Sequence, residues 1–140
     1  MNDPRSPGDR PGPGRRQARE RAIGLIYEAE TKGEDPVELL EGLVAEPLPY
    51  VGTLIRGYAE NSSQIDELIS DHAKGWSLQR MPAVDRAILR IGTQELLGAE
   101  DVPTAVVLDE SVELAKTYST ENSSRFINGV LAAIAPVVRD

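Results

Sequence analysis

The sequence predicts an all-α fold of about seven helices. Apolar residues recur at helical spacing along most of the chain, and no segment shows the strict alternation or the hairpin turns that are typical of β-strands. Aromatic residues make up only 4% of the sequence, so we expect a core of Ala, Val, Leu and Ile, which suits packed helices. A length of 140 residues fits one domain with a single core.

The first residues differ in composition from the rest of the chain. They are rich in Pro, Gly, Asp and Arg and have nothing to bury, so we expect a disordered leader over residues 1–14 and one helical domain over residues 15–140. Residues 1–21 carry six arginines against three acidic residues, whereas the remainder carries nine basic and twenty acidic side chains. From charge alone, a solvated tail on an acidic protein is a better interpretation than a polyanion contact.

Local signals place the seven helices. Gly33 stops the first helix, and Asp35 with Pro36 caps and opens the second. A serine, Ser62 or Ser63, caps the fourth. The predicted helices run, in order, from Arg15 to about Gly33, over 37–46, from Pro47–Pro49 through Tyr58, from Ser62 or Ser63 to about Gly75, over 81–97, from about Thr104 through Tyr118, and over 124–138.

The fifth predicted helix, MPAVDRAILRIGTQELL over residues 81–97, is expected to be the one on which the others pack. Pro82 suits its first turn, and its apolar arc is wide, which is typical of a helix covered on most of its circumference. Glu95 falls inside this arc, so we expect its carboxylate to pair with a donor outside its own helix. Trp76 lies in the preceding connection, where its ring is expected to close a gap between packed elements.

Few residues suit catalysis or cofactor binding. The chain has no cysteine, and the one histidine, His72, sits near a helix end, where an exposed structural role is the better interpretation. Serine-centred elbows, HExxH patterns and Gly-rich phosphate loops are absent from the sequence. No apolar run is long enough to span a membrane, and the first residues do not form a secretory signal. We therefore expect a cytoplasmic protein that is not an enzyme and holds no metal or cofactor.

Three arginines at the start of the first helix are candidates for RNA binding. Arg15, Arg16 and Arg19 lie at the positive end of the helix dipole, where a cation costs a few tenths of a kcal/mol or more. Guanidinium groups bind phosphates and stack on unpaired bases, so this placement favours RNA contact. A cluster that only improves solubility is the alternative.

The start of the last helix is a second candidate site. Asn122 and Ser123 are expected to cap this helix, and phosphate is favoured at such an end. Arg125 projects from its first turn, while Phe126 and Ile127 are expected to face inward.

Acidic residues line one side of the sixth predicted helix, at positions Asp109, Glu110 and Glu113. Such a face is usually just solvated. The functional alternative is a docking surface that attracts a basic protein partner and speeds association.

Four segments together resemble the NusB family of transcription antitermination factors. They are RRQARERAIGLIYEAE, PAVDRAILRIGTQELL, DVPTAVVLDESVELAKTYST and RFINGVL. Each segment alone is a weak match, but the ordered set is specific and covers residues 15–138, with the leader outside it. The resemblance implies two small helical bundles set roughly perpendicular to each other. It also implies binding of the boxA element of nascent ribosomal RNA, together with a small-subunit ribosomal protein that acts as NusE. The complex would then act on RNA polymerase so that it reads through terminators.

The resemblance also implies roles for particular residues. The family's basic N-terminal segment matches Arg15, Arg16 and Arg19, which would contact RNA, and we expect Arg86 and Arg125 to add to that contact. The family commonly has an acidic residue before Ser ahead of RFINGVL, where this chain has Asn122. Loss of that charge is expected to raise RNA affinity by removing repulsion.

Three other functions compete with RNA binding. The first is a protein-docking module that uses its acidic surface and touches RNA only indirectly, and the second is self-association as a homodimer. The third is an enzyme, because a similar helical domain precedes the catalytic domain of some ribosomal RNA cytosine methyltransferases. The chain ends at Asp140, which leaves no residues for a cofactor-binding sheet, so we expect no such activity.

Overall fold

The structure is a computed structural model that describes residues 13–139; residues 1–12 and 140 lie outside the described range. Within 13–139 it contains six α-helices, one 3-10 helix and no strand. The helices are α1 (Pro13–Lys32), α2 (Pro36–Glu41), α3 (Pro49–His72), the 3-10 helix (Leu78–Arg80), α4 (Ala83–Gly98), α5 (Thr104–Tyr118) and α6 (Glu121–Val138). The all-α prediction is confirmed. The expected disordered leader, 1–14, lies outside the described residues except for Pro13 and Gly14, which begin α1.

The prediction of separate third and fourth helices is wrong, because α3 is one continuous helix of 24 residues. Ser62 and Ser63 lie in its middle rather than at a cap. Leu54, Tyr58 and Ile65 are all buried, so the apolar face continues past the two serines at helical spacing. Packing of this face outweighs the weak preference of serine for helix ends.

Two other predicted boundaries also shift. Helix α2 ends at Glu41 instead of reaching residue 46, because Gly42 takes the C-cap position and its N–H bonds to Glu38 O. Helix α6 begins before residue 124: Thr120 is its N-cap, and its side chain accepts from Ser123 N at 3.0 Å. Asn122 and Ser123 therefore lie in the first turn, and neither is the cap.

Helix α4 lies at the centre of the fold and packs against α1, α3, α5 and α6. Its residues Ile88, Leu89, Ile91 and Leu96 are almost completely buried, as the wide apolar arc predicted. Helices α1 and α3 pack on α4, with α2 against α1 and α3, and α5 and α6 also pack together on α4, so α4 belongs to both groups. No helix among the described residues is long and apolar enough to cross a membrane.

Arg139 stabilises the carboxyl end of α4. That end has no basic residue of its own, and its last carbonyl groups need donors from elsewhere. Arg139 supplies them: its guanidinium donates to the carbonyl oxygens of Glu95, Leu96, Ala99 and Val102 at 2.7–3.0 Å. The residue after α6 thus ties α6 to the α4–α5 connection, and a cation there also suits the helix dipole.

We expect Arg139→Met to lower the free energy of unfolding by about 1–3 kcal/mol, because several half-buried carbonyl oxygens lose a charged donor. Urea unfolding followed by circular dichroism measures the change. Arg125→Met is a matched control, since Arg125 is exposed and its carboxylate contact, to Glu121, is 3.6 Å long. Equal stability of the two variants would contradict this role for Arg139.

Candidate nucleic-acid interface

The first and third arginines of α1 are buried. Arg15 is 6% exposed; its guanidinium lies 4.3 Å from the centre of the Tyr50 ring, and its Nη2 is 3.1 Å from Asp101 Oδ2. Arg19 is 3% exposed, and its Nε donates to Glu95 Oε1 at 2.7 Å. Both side chains are therefore directed into the protein, where they hold the start of α1 against its neighbours.

Glu95 is the buried carboxylate of this cluster. It is 1% exposed, and besides the bond from Arg19 its Oε2 accepts from the Tyr50 hydroxyl at 2.7 Å. Burial and the neighbouring negative charge raise the pKa of Tyr50 well above its usual range, so the hydroxyl remains a donor. The prediction that Glu95 pairs outside its own helix is confirmed, and its partners come from α1 and α3.

Arg16 differs from Arg15 and Arg19 because its side chain is 62% exposed. Its Nε and Nη2 donate to the two carboxylate oxygens of Glu110 on α5, both at 2.9 Å. This bidentate contact raises the pKa of Arg16 and lowers the pKa of Glu110. A residue expected to bind RNA is thus paired with a residue expected to bind a protein partner.

Arg86 lies in a network of charges between α1, α3 and α4. Its Nε donates to Glu30, and its Nη1 donates to the carbonyl oxygens of Leu78 and Met81. Arg90 also donates to Glu30, at 2.7 Å. These hydrogen bonds, chiefly the one from Arg86, lower the pKa of Glu30. Arg86 was expected to face RNA, but its donors are directed at Glu30 and at the connection that precedes α4.

That connection carries Trp76, which does not close a gap between packed elements as predicted. Its side chain is 52% exposed and packs edge-to-face on the ring of Phe126, with 6.3 Å between ring centres. Phe126 is half-buried, so the prediction that it faces inward holds only in part. A pocket of about 340 Å³ opens beside the two rings and is lined by Trp76, Met81, Pro82, Asp85, Asn122, Ser123 and Phe126.

Asp85 is the acidic residue that lines this pocket. Its carboxylate is buried and accepts from Ser119 Oγ at 2.8 Å and from Ser123 Oγ at 2.7 Å. These bonds join the first turn of α4 to the end of α5 and the start of α6. The sequence pointed to Asn122 and Ser123 but not to Asp85 or to the two rings. The one available signal was a tryptophan in a connection between helices.

The predicted site residues therefore fall into two regions. Asn122 and Ser123 line the pocket beside the aromatic pair, and Arg125 is exposed on the same turn of α6. Arg16 lies beside Glu110, nine residues before Ser119 on α5, which corresponds to about 14 Å along the helix axis. Helix α5 connects the two regions.

The predicted protein-docking residues are also on α5. Asp109 and Glu113 are exposed, and Glu113 lies 3.8 Å from Lys116 Nζ, whereas Arg16 covers most of Glu110. Beside them is a groove of about 590 Å³, lined by Gln17, Glu20, Arg21, Ile23, Gly24, Tyr27, Val84, Leu114 and Tyr118.

The other residues considered for catalysis or metal binding have structural roles. His72 is half-buried rather than exposed, with Nδ1 2.8 Å from the carbonyl oxygen of Leu68. Across residues 13–139, no three His, Cys, Asp or Glu side chains are grouped to hold a metal ion.

Comparison with known proteins places the chain in a family. The model of the NusB family matches residues 16–136. The chain belongs to the NusB family. The transcription antitermination protein NusB of Saccharopolyspora erythraea is 54% identical over 129 residues, which are 88% of this chain and 87% of that protein. As a member of this family, the chain is a transcription antitermination factor and not an enzyme.

Solved structures of NusB proteins have the same fold. NusB of T. maritima is 40% identical and matches with a TM-score of 0.80 over 89% of this chain and 92% of its own. A chain from a crystal structure of the antitermination factors NusB and NusE in complex with dsRNA is 29% identical, with a TM-score of 0.74 over 88% of this chain and 96% of its own.

We expect Arg19→Met to destabilise the protein by about 3–5 kcal/mol, because it leaves the Glu95 carboxylate buried without its cation. The double variant Arg19→Met/Glu95→Gln should recover most of this loss, since Tyr50 still has an acceptor and the buried charge of Glu95 is gone. Urea unfolding of the wild type and the two variants provides the measurement. A double variant no more stable than Arg19→Met would show that lost packing, not the unpaired charge, causes the effect.

The lowered pKa of Glu30 leads us to expect a loss of stability in acid. Its pKa in the folded protein is below its ordinary value of 4.5, so this carboxylate stabilises the fold above that pH. As the pH falls below 4.5, Glu30 takes up its proton in the unfolded chain before it does so in the folded protein. Its contribution to the free energy of unfolding therefore declines until the pH has passed its pKa in the folded protein. We expect Glu30→Gln to flatten the decline in stability between pH 5 and the folded pKa, measured by urea unfolding at each pH. Glu28→Gln, which removes a more exposed carboxylate from the same helix, is the control; an equal effect would refute the assignment.

Proposed function

We propose that this chain binds single-stranded boxA RNA of nascent ribosomal transcripts together with the small-subunit ribosomal protein that acts as NusE. The observation that carries the proposal is the exposed Trp76–Phe126 pair beside a pocket lined by Asn122 and Ser123. Membership in the antitermination family and the related complex of NusB, NusE and dsRNA support RNA and NusE as the ligands. In this proposal the assembly acts indirectly on RNA polymerase, and the chain works in the cytoplasm.

The aromatic pair favours a single strand. In a duplex, stacking covers the faces of the bases, whereas an unpaired base exposes a face that stacks on an aromatic ring. Half of the Trp76 side chain is exposed, and the adjoining pocket has room for a base edge. Asn122 offers both a donor and an acceptor at the edge of this pocket, so it can bond to a base without adding charge.

The arginines divide into two roles in this proposal. Arg16 and Arg125 have exposed guanidinium groups that reach phosphate, each released from one surface carboxylate. Arg15 and Arg19 fix the start of α1, and Arg86 fixes the connection that presents Trp76. These three act on RNA affinity through the positions of other residues.

Helix α5 presents the protein-docking surface. Asp109, Glu110 and Glu113 form an acidic strip that suits a basic ribosomal protein. We further propose that α1 to α3 and α5 to α6 are two small bundles set roughly perpendicular about α4, so that this strip and the aromatic site lie on different faces.

A protein-docking role without RNA contact is the second candidate. The groove beside α5 supports it, because Tyr27 and Tyr118 are both exposed there around the apolar side chains of Ile23 and Leu114. Its occupant would be NusE or a second copy of the chain. In that case the chain would bind NusE, or sediment as a concentration-dependent dimer, and would show no RNA affinity alone or in the complex.

RNA binding measured with boxA RNA, with and without NusE, across a salt series tests the proposal. We expect Trp76→Ala and Phe126→Leu each to weaken binding by about 1–3 kcal/mol, because a base loses its stacking surface. Arg125→Gln should instead make the slope of log affinity against log salt shallower by about 0.7.

Val137→Ala is the matched control for the aromatic variants, because Val137 is exposed near the opposite end of α6. Unchanged boxA affinity in Trp76→Ala, or wild-type affinity that does not depend on salt, would refute the proposed RNA site.

A further inference from the structure

The ion pair between Arg16 and Glu110 joins two residues that the proposed function assigns to different ligands. Arg16 belongs to the RNA side and Glu110 to the protein-docking side, 94 residues later in the chain. Both guanidinium–carboxylate hydrogen bonds are 2.9 Å long, so each group occupies the other. The two donors of Arg16 that face Glu110 are not available to a phosphate while the residues are paired.

We propose that this pair couples the two binding events: a basic group of the protein partner takes Glu110, and the released Arg16 binds an RNA phosphate. The inference rests on the proposed function and adds its regulation. It makes the ion pair a local two-state element, closed when the chain is free and open when both ligands are bound.

Exposure explains why only one side of the pair can leave at low cost. The Arg16 side chain is 62% exposed and can move into solvent, whereas the Glu110 side chain, which Arg16 covers, is 13% exposed. RNA binding alone therefore leaves Glu110 without its cation, and the free energy of the ion pair is lost. A lysine or arginine from the partner removes that cost. RNA and partner thus strengthen each other's binding, and by linkage the effect is reciprocal.

The surroundings of the pair fit this exchange. Glu113, one turn further along α5, also attracts Arg16, so two carboxylates are available to an incoming basic segment. Arg19 contributes positive potential at Glu110 but stays buried on Glu95. Arg15 is likewise buried, so Arg16 is the arginine at the start of α1 that is free to exchange partners.

A double-mutant cycle tests the coupling. The dissociation constant for boxA RNA is measured for the wild type, Glu110→Gln, Arg16→Gln and the double variant, each without NusE and with saturating NusE. Glu110→Gln should bind RNA alone about two- to fivefold more tightly, the size expected for release of an exposed ion pair. The enhancement by NusE should shrink by the same factor.

The Arg16→Gln background separates the exchange from simple charge repulsion. If Glu110 acts by holding Arg16, then Glu110→Gln changes RNA affinity by less than twofold in a chain that already carries Arg16→Gln. Glu28→Gln removes the same charge from an exposed pair elsewhere on α1 and should leave the NusE enhancement unchanged. Thermal unfolding verifies that all variants are folded.

Three results would overturn the inference. Glu110→Gln could fail to tighten RNA binding, could tighten it equally in the Arg16→Gln background, or could leave the NusE enhancement intact. In each case boxA binding itself persists and the proposed function stands. If the wild type binds no boxA RNA with or without NusE, the proposed function fails, and the coupling fails with it.

Discussion

The buried carboxylate of Glu95 sets the arrangement of three helices. A charge that is 1% exposed is tolerated only with close donors, and Glu95 takes one from Arg19 on α1 and one from Tyr50 on α3. Because both donors are also buried, none of the three side chains can move independently. The start of α1 is therefore fixed against α4, and Arg16 is directed away from this cluster, toward α5. The buried Glu95 carboxylate, which does not contact RNA in the proposal, thus determines where Arg16, the proposed phosphate contact, lies.

Ion pairs attach α1 to the rest of the protein at both ends. Near its start, Arg15 and Arg16 reach Asp101 and Glu110, and near its end Glu30 receives Arg86 and Arg90. Arginines at a helix start oppose the dipole, but carboxylates from other helices offset that cost here. The same arrangement that stabilises the helix leaves the exposed pair as the one that is easily exchanged.

The helical periodicity of the sequence predicted the features of the fold that depend on a single helix. The wide arc of α4 and the anomalous position of Glu95 within it were enough to predict central packing and an external donor. The same reasoning divided α3, because Ser62 and Ser63 resemble a cap when the tertiary packing of Tyr58 and Ile65 is not known. For Arg15 and Arg19 the sequence favoured phosphate, since their carboxylate partners are more than 70 residues away. The Trp76–Phe126 pair was missed for the same reason: two aromatics 50 residues apart share no local pattern.

Asn122 lies at the edge of a pocket that Asp85 also lines. The Asp85 carboxylate is buried and accepts hydrogen bonds from Ser119 and Ser123. An acidic side chain at position 122 would place a second negative charge at the edge of the same pocket. A second negative charge there would add to the repulsion of an approaching phosphate. Asn122 keeps the hydrogen-bonding capacity and removes that repulsion, so the proposed site in this chain relies on stacking and amide contacts, with phosphate contacts left to exposed arginines.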